Sequence, residues 1–124
     1  GEVVALEYEG GRDGKVYRSV QLGRELRVSD MARNGPAASM TAHCSGYVLD
    51  SLTLGIAALL DTRSLEDVLV DVVRIGWDTD TNAAIAGGLL GARDGEEAVP
   101  ARWREKLQFG KEFREIAVLL TREE

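Results

Sequence analysis

Proline, cysteine, clustered basic residues and long apolar runs are all scarce in this chain, and each scarcity excludes something. Only two prolines occur in 124 residues, of which 44% are hydrophobic, while fourteen glycines are spread along the length. That composition excludes a disordered or fibrous chain and predicts a folded one. The single cysteine, Cys44, cannot form an intrachain disulfide. Neither a signal-peptide pattern nor an apolar run of membrane-spanning length is present, so a soluble cytoplasmic protein is expected. Fifteen Lys and Arg face twenty-one Asp and Glu, leaving a net charge of −6 and a pI near 4.9. No stretch gathers the basic cluster that binding a phosphate backbone requires, so nucleic acid is not an expected partner, and nor is a membrane. There is no internal repeat and no low-complexity segment. The chain begins at Gly1 rather than methionine, which predicts a cleavage product, a tag remnant or an artificial boundary at its start.

The length suits one domain with a modest core, and the pattern of residues divides it at about residue 41. Residues 3–22, "VVALEYEGGRDGKVYRSVQL", place two β-rich runs around the turn-forming "GGRDGK" and predict an N-terminal β-hairpin. Residues 27–44 contain Asn34-Gly35-Pro36 without a clean period and are expected to be a connecting loop with one short helical turn. Residues 1–41 would then form a hairpin and loop extension, and 42–124 a helical part.

The helical part begins with "SGYVLDSLTLGIAALL", where Val48, Leu49, Leu52, Ile56, Leu59 and Leu60 recur at helical spacing. "SLEDVLVDVVRIG" follows, with Ser64 and Asp67 in capping register and a stop at Gly76. In "TNAAIAGGLLGARDG", Ala84, Gly87, Gly88 and Gly91 leave a helix face with little bulk, at about 1 kcal/mol per glycine relative to alanine. Close approach of another element would offset that cost. Pro100 suits the first turn of "PARWREKL", and "KEFREIAVLL" makes a terminal amphipathic helix, with Trp103 and Phe113 expected in the core.

Between two of these helices stands "GWDTDTN", which holds Asp78 and Asp80 with Thr79 and Thr81. A helix cap at Asp80 or Thr81 accounts for one acidic residue. Two carboxylates and two hydroxyls in four residues exceed what one cap requires. Paired carboxylates beside a hydroxyl oxygen suit a hard divalent cation such as Mg²⁺, Mn²⁺ or Ca²⁺. An EF-hand is excluded, because Ala83 stands where the loop glycine belongs and Leu89 where the bidentate glutamate belongs. "GGLLG" lacks the spacing and the preceding strand of a dinucleotide or phosphate loop. Trp77, just before the aspartates, would shield the site or simply be buried.

"SGYVLDSL", "GWDTDTNAAIAGGLLGA" and "GEEAVPARWREKL", in that order and spacing over residues 42–110, resemble the carboxy-terminal part of the ADP-ribosylglycohydrolase superfamily. This is the group that includes dinitrogenase reductase-activating glycohydrolase. The resemblance implies an all-α bundle around a binuclear Mg²⁺ or Mn²⁺ site that hydrolyses the glycosidic bond joining ADP-ribose to a side chain or small molecule. It also implies that Asp78, Asp80 and Thr81 are metal ligands and that Asn82 steadies them, although helix capping explains Asn82 equally well. Ser45 and Gly46 would offer hydrogen bonds, and Tyr47 an aromatic surface, to ADP-ribose. For Ser45 and Tyr47 the plainer reading is a helix cap followed by a core tyrosine.

The family's other metal ligands lie in an amino-terminal motif of a threonine followed by acidic residues, and residues 1–41 contain no such motif, since Asp13 and Asp30 are isolated. The chain is therefore expected to carry one half of an active site, with self-association or a complementary polypeptide to complete it. The competing class is a non-catalytic module that binds ADP-ribose or a protein partner. His43 beside Cys44 lacks a third group for nucleophilic catalysis and is expected in a packed loop, and Asp61, Glu66, Asp67 and Asp71 read as a solvated acidic face.

Overall fold

Ser64 opens the most regular helix by accepting a 3.2 Å hydrogen bond from the Asp67 N–H, which is the cap that the sequence predicts. A computed structural model describes residues 14–40 and 45–122, and the elements in those ranges are helical. They are α1 (Lys15–Glu25), α2 (Val28–Asn34), α3 (Val48–Leu60), α4 (Leu65–Arg74), α5 (Thr79–Asp94), α6 (Ala101–Lys106) and α7 (Gly110–Leu120), with a 3₁₀ turn at Glu96–Ala98 before α6. No helix among the described residues is long and apolar enough to cross a membrane.

Helix α3 lies at the centre, with α1 on one side and α5 on another, while α4 packs between α5 and α2. The buried face of α3 is Asp50, Ser51, Thr53, Leu54, Ala57 and Ala58, whereas Val48 and Leu60 of the stripe expected from the sequence are exposed, because α3 is covered on more than one side. Leu54, Ala58, Val68, Val72, Ala86 and Leu90 meet in the core with Val28 and Met31 of α2. Each fully buried Leu or Val there contributes about 2 kcal/mol through removal of its surface from water. Arg93 of α5 closes the far end of α3, because its guanidinium donates to the carbonyls of Leu59, Asp61 and Arg63. These carbonyls would otherwise be left without partners beyond the last helical turn. Beside them, Arg63 bridges Asp61 and Asp71 at 3.0 and 2.8 Å, and Arg102 pairs with Glu66, so three of the four members of the expected acidic face are engaged in ion pairs.

The N-terminal β-hairpin is not formed as the sequence suggested. Its second run is helix α1, and residues 3–13 of the first run and turn lie outside the described residues. The alternating Val and Tyr positions that suggest a strand also place Val16, Ser19, Val20 and Gly23 on one helical face, and this face packs on α3. Gly23 permits the close crossing: a Cβ there would lie 2.7 Å from both the Ile56 Cβ and the Thr53 carbonyl. The Thr53 hydroxyl fastens the pair by donating to the Ser19 carbonyl at 2.9 Å. Tertiary contact with α3 thus overrides a local β preference.

Residues 27–44 hold more helix than the one turn expected, since α2 spans seven residues before Gly35. The small-residue face of α5 meets less than expected. No described residue comes within 4 Å of a Cβ built at Gly88 or Gly91, and only Leu69 does so at Gly87. Trp103 is partly buried against the core as expected, whereas Phe113 is exposed with Ile116, Leu119 and Leu120 on α7, which packs chiefly on α6.

Candidate functional site

Three consecutive residues reverse the chain between α4 and α5. Gly76 has φ +90° and Trp77 φ +64°, after which Asp78, at φ −81° and ψ 72°, forms an inverse γ-turn closed by the Thr79 N–H on the Trp77 carbonyl at 2.9 Å. A left-handed conformation costs a residue with a side chain about 1 kcal/mol, and such outliers concentrate at functional sites. The turn does not bury its tryptophan, for Trp77 is 67% exposed. It places the Asp78 and Asp80 carboxyls side by side at the opening of α5.

Asp78 occupies the N-cap position but its side chain makes no capping hydrogen bond. Asp80 takes part of that role, accepting from the Thr81 N–H at 3.0 Å. The Asp80 carboxyl is held below the usual carboxylate range, chiefly by its hydrogen bond with Asp78 and next by that N–H. Both Asp80 and Thr81 are exposed.

The Asp78 carboxylate points at the loop before α3. Gly46, at φ +95°, lies so close that a Cβ would stand 2.1 Å from Asp78 Oδ2. Only glycine combines that backbone conformation with that approach. Two blocks 32 positions apart in sequence, "SGYV" and "DTDT", therefore meet at one point. Ser45 is exposed at the start of this loop, and Tyr47, 39% exposed, precedes α3 and lines a cleft between α1 and α3. The tyrosine is therefore not a core residue.

Asn82 has a different place from its neighbours. It is 2% exposed, and its side-chain oxygen accepts from the Ser51 hydroxyl at 2.8 Å, so the buried amide ties the first turn of α5 to α3. This fastens the helix that follows the aspartate turn to the helix that follows the Gly46 loop. Ser51 and Asp50 (each 2% exposed) are buried polar residues of α3, although the sequence pattern sets Asp50, with Thr53, on a face apart from the apolar stripe. Their signal was a polar position in an apolar helix. His43 and Cys44 lie outside the described residues.

The donors gathered here are oxygens, two of them carboxylates from one loop, which is the chemistry a hard divalent cation takes. Among the described residues no group of three or more His, Cys, Asp or Glu side chains could hold a metal ion. The donors fit in kind, then, and need further ligands in number.

The ADP-ribosylglycohydrolase family model matches residues 5–124. The chain is similar to an ADP-ribosylarginine hydrolase Tri1 of Pseudomonas putida (strain GB-1), 32% identical over 73 residues covering 59% of this chain and 20% of that protein. An ADP-ribosyl-[dinitrogen reductase] glycohydrolase of Rhodospirillum rubrum is 35% identical over 72 residues, 58% of this chain and 24% of the relative. An ADP-ribosylhydrolase ARH3 of Bos taurus is 39% identical over 60 residues, 48% of this chain and 16% of the relative. The chain spans about a fifth of the length of these curated relatives. No solved structure gives a significant match.

Proposed function

The chain belongs to the ADP-ribosylglycohydrolase family, and from that premise we propose that it supplies one side of a metal-dependent site that hydrolyses the glycosidic bond of ADP-ribosylated substrates. The observation that carries this reading is the contact between Gly46 and Asp78, which joins the acidic turn to the loop bearing Tyr47. Asp78, Asp80 and Thr81 would hold Mg²⁺ or Mn²⁺, and the ion would supply charge stabilisation and orientation of water at the breaking bond. The residues of the chain itself do the rest. Gly46 leaves room for the Asp78 carboxylate, the Asn82–Ser51 bond fixes the turn, and Ser45 and Tyr47 face solvent where a ligand can reach them.

Further acidic ligands come from another segment or a second polypeptide. The test combines the chain with a polypeptide carrying an acidic metal motif and follows ADP-ribose release from an ADP-ribosylated protein. Release should require both components and Mg²⁺ or Mn²⁺, and should be lost with Asp80→Asn. Release by the mixture that is indifferent to Asp80→Asn would overturn the reading. The relatives named as ADP-ribosyl hydrolases make catalysis the better-supported class over a non-catalytic binding module.

A further inference from the structure

The cleft between α1 and α3 has a volume of about 350 Å³ and opens beside Tyr47, the residue that follows the Gly46–Asp78 contact. Two cations of α1, Lys15 and Arg18, stand on its rim. Both are exposed, and neither side chain makes an ion pair or hydrogen bond among the described residues. Asp50 also lines the cleft but is 2% exposed, so the charge presented at the opening is positive, in a chain whose net charge is −6. The wall that carries these cations is firmly set. Gly23 lets α1 lie directly on α3, and the Thr53 hydroxyl, itself part of the cleft lining, holds the Ser19 carbonyl one turn from Lys15.

A second cleft, of about 500 Å³ between α1, α2 and the end of α3, differs in just this respect. It is lined by Arg24, Arg27 and Arg63, but Arg63 is committed to Asp61 and Asp71, and Glu25 and Asp61 line the same space. Among the described residues, the α1–α3 cleft sets two cations without an ion-pair partner beside an accessible aromatic ring, and that combination suits a diphosphate attached to a planar or sugar group.

We propose that Lys15 and Arg18 form a diphosphate subsite in the α1–α3 cleft, with Tyr47 between it and the aspartate turn. A nucleoside diphosphate sugar would then lie with its diphosphate on α1 and its distal ribose toward Asp78 and Asp80. The identification of the ligand as ADP-ribose rests on the proposed function, while the cleft's affinity for an organic diphosphate does not.

The test is calorimetric titration of the chain with ADP in low salt and without a divalent cation. ADP has no glycosidic bond to a side chain, and in the absence of metal the aspartate turn makes no contribution to the affinity. Arg18→Ala should weaken ADP binding by about tenfold, the loss of one charge-assisted contact, and Lys15→Ala in addition should weaken it further. Arg27→Ala, on the other cleft, should leave it unchanged, and circular dichroism should show the same helix content in all variants. Absence of ADP binding by the unmutated chain, or equal losses in the Arg18 and Arg27 variants, would overturn the subsite. ADP binding that depends on Arg18, in a chain that never cleaves an ADP-ribosylated substrate with any partner, would sink the hydrolase reading and uphold the subsite. Cleavage unaffected by Arg18→Ala, together with unchanged ADP affinity, would do the reverse.

Discussion

Gly46 stands against Asp78 so closely that one added methyl group would lie 2.1 Å from the carboxylate oxygen. The obstructed atom is the end of a side chain, so Gly46→Ala should displace the carboxylate more than the fold, although its φ of +95° also puts alanine in a strained backbone. The variant is expected to lose about 1 kcal/mol of stability in urea unfolding. Its loss of Mn²⁺ affinity should be larger than that stability change explains. Full metal affinity in Gly46→Ala would show that the approach of the two loops does not serve the aspartates.

Trp77 gives a prediction of opposite sign. It is 67% exposed at φ +64°, so its backbone strain is not offset by burial of the indole. Trp77→Gly should therefore keep or raise the melting temperature, by up to the roughly 1 kcal/mol that the left-handed conformation costs a side-chain-bearing residue. A marked fall in thermal melting would show that the indole stabilises the turn through contacts that outweigh this strain.

Acid stability should report on Asp61. Its carboxyl is held below the ordinary 3.8 by the Arg63 hydrogen bond first, against desolvation, with the Arg63 N–H and the charges of Arg63 and Arg93 adding to the effect. A depressed folded value means that the stabilisation is complete above the unfolded value and is lost as pH falls through the folded one. Asp61→Asn should accordingly melt lower than the unmutated chain near neutral pH, and the difference should begin to shrink below about pH 4 and close as pH falls through the depressed folded value. A difference that stays constant or widens as pH falls from about 4 through the acid range would contradict the ion-pair account.

Much of this helical arrangement was legible because it is written in local terms. The 3.6-residue spacing of Leu and Val marks α3 and α4, and Ser64 with Asp67 marks a cap that the structure contains. What misled was α1. The strand-like alternation of Val and Tyr there is compatible with a helix face, and only the long-range fit of Gly23 against Ile56 and Thr53 decides between them. Phe113 is apolar at helical spacing, yet α7 leaves it exposed, since periodicity predicts a face and not what covers it. At the candidate site the density of oxygen donors in "DTDT" was visible in the sequence. The meeting of Gly46 with Asp78, the Ser51–Asn82 bond and the cations of α1 beside Tyr47 join residues far apart in the chain, and no local spacing encodes them.

The central claim is that Asp80 is a metal ligand and more than a helix cap. Asp80→Asn tests it most directly, because asparagine keeps an oxygen that can accept from the Thr81 N–H and so preserves the local bond while removing the charge. Mn²⁺ titrated calorimetrically into the chain and into this variant, with far-ultraviolet circular dichroism of both, should show an affinity at least about tenfold weaker in the variant at unchanged helix content. Equal Mn²⁺ affinity in the two proteins, or loss of helix in step with loss of metal, would contradict the account and return Asp80 to a capping role.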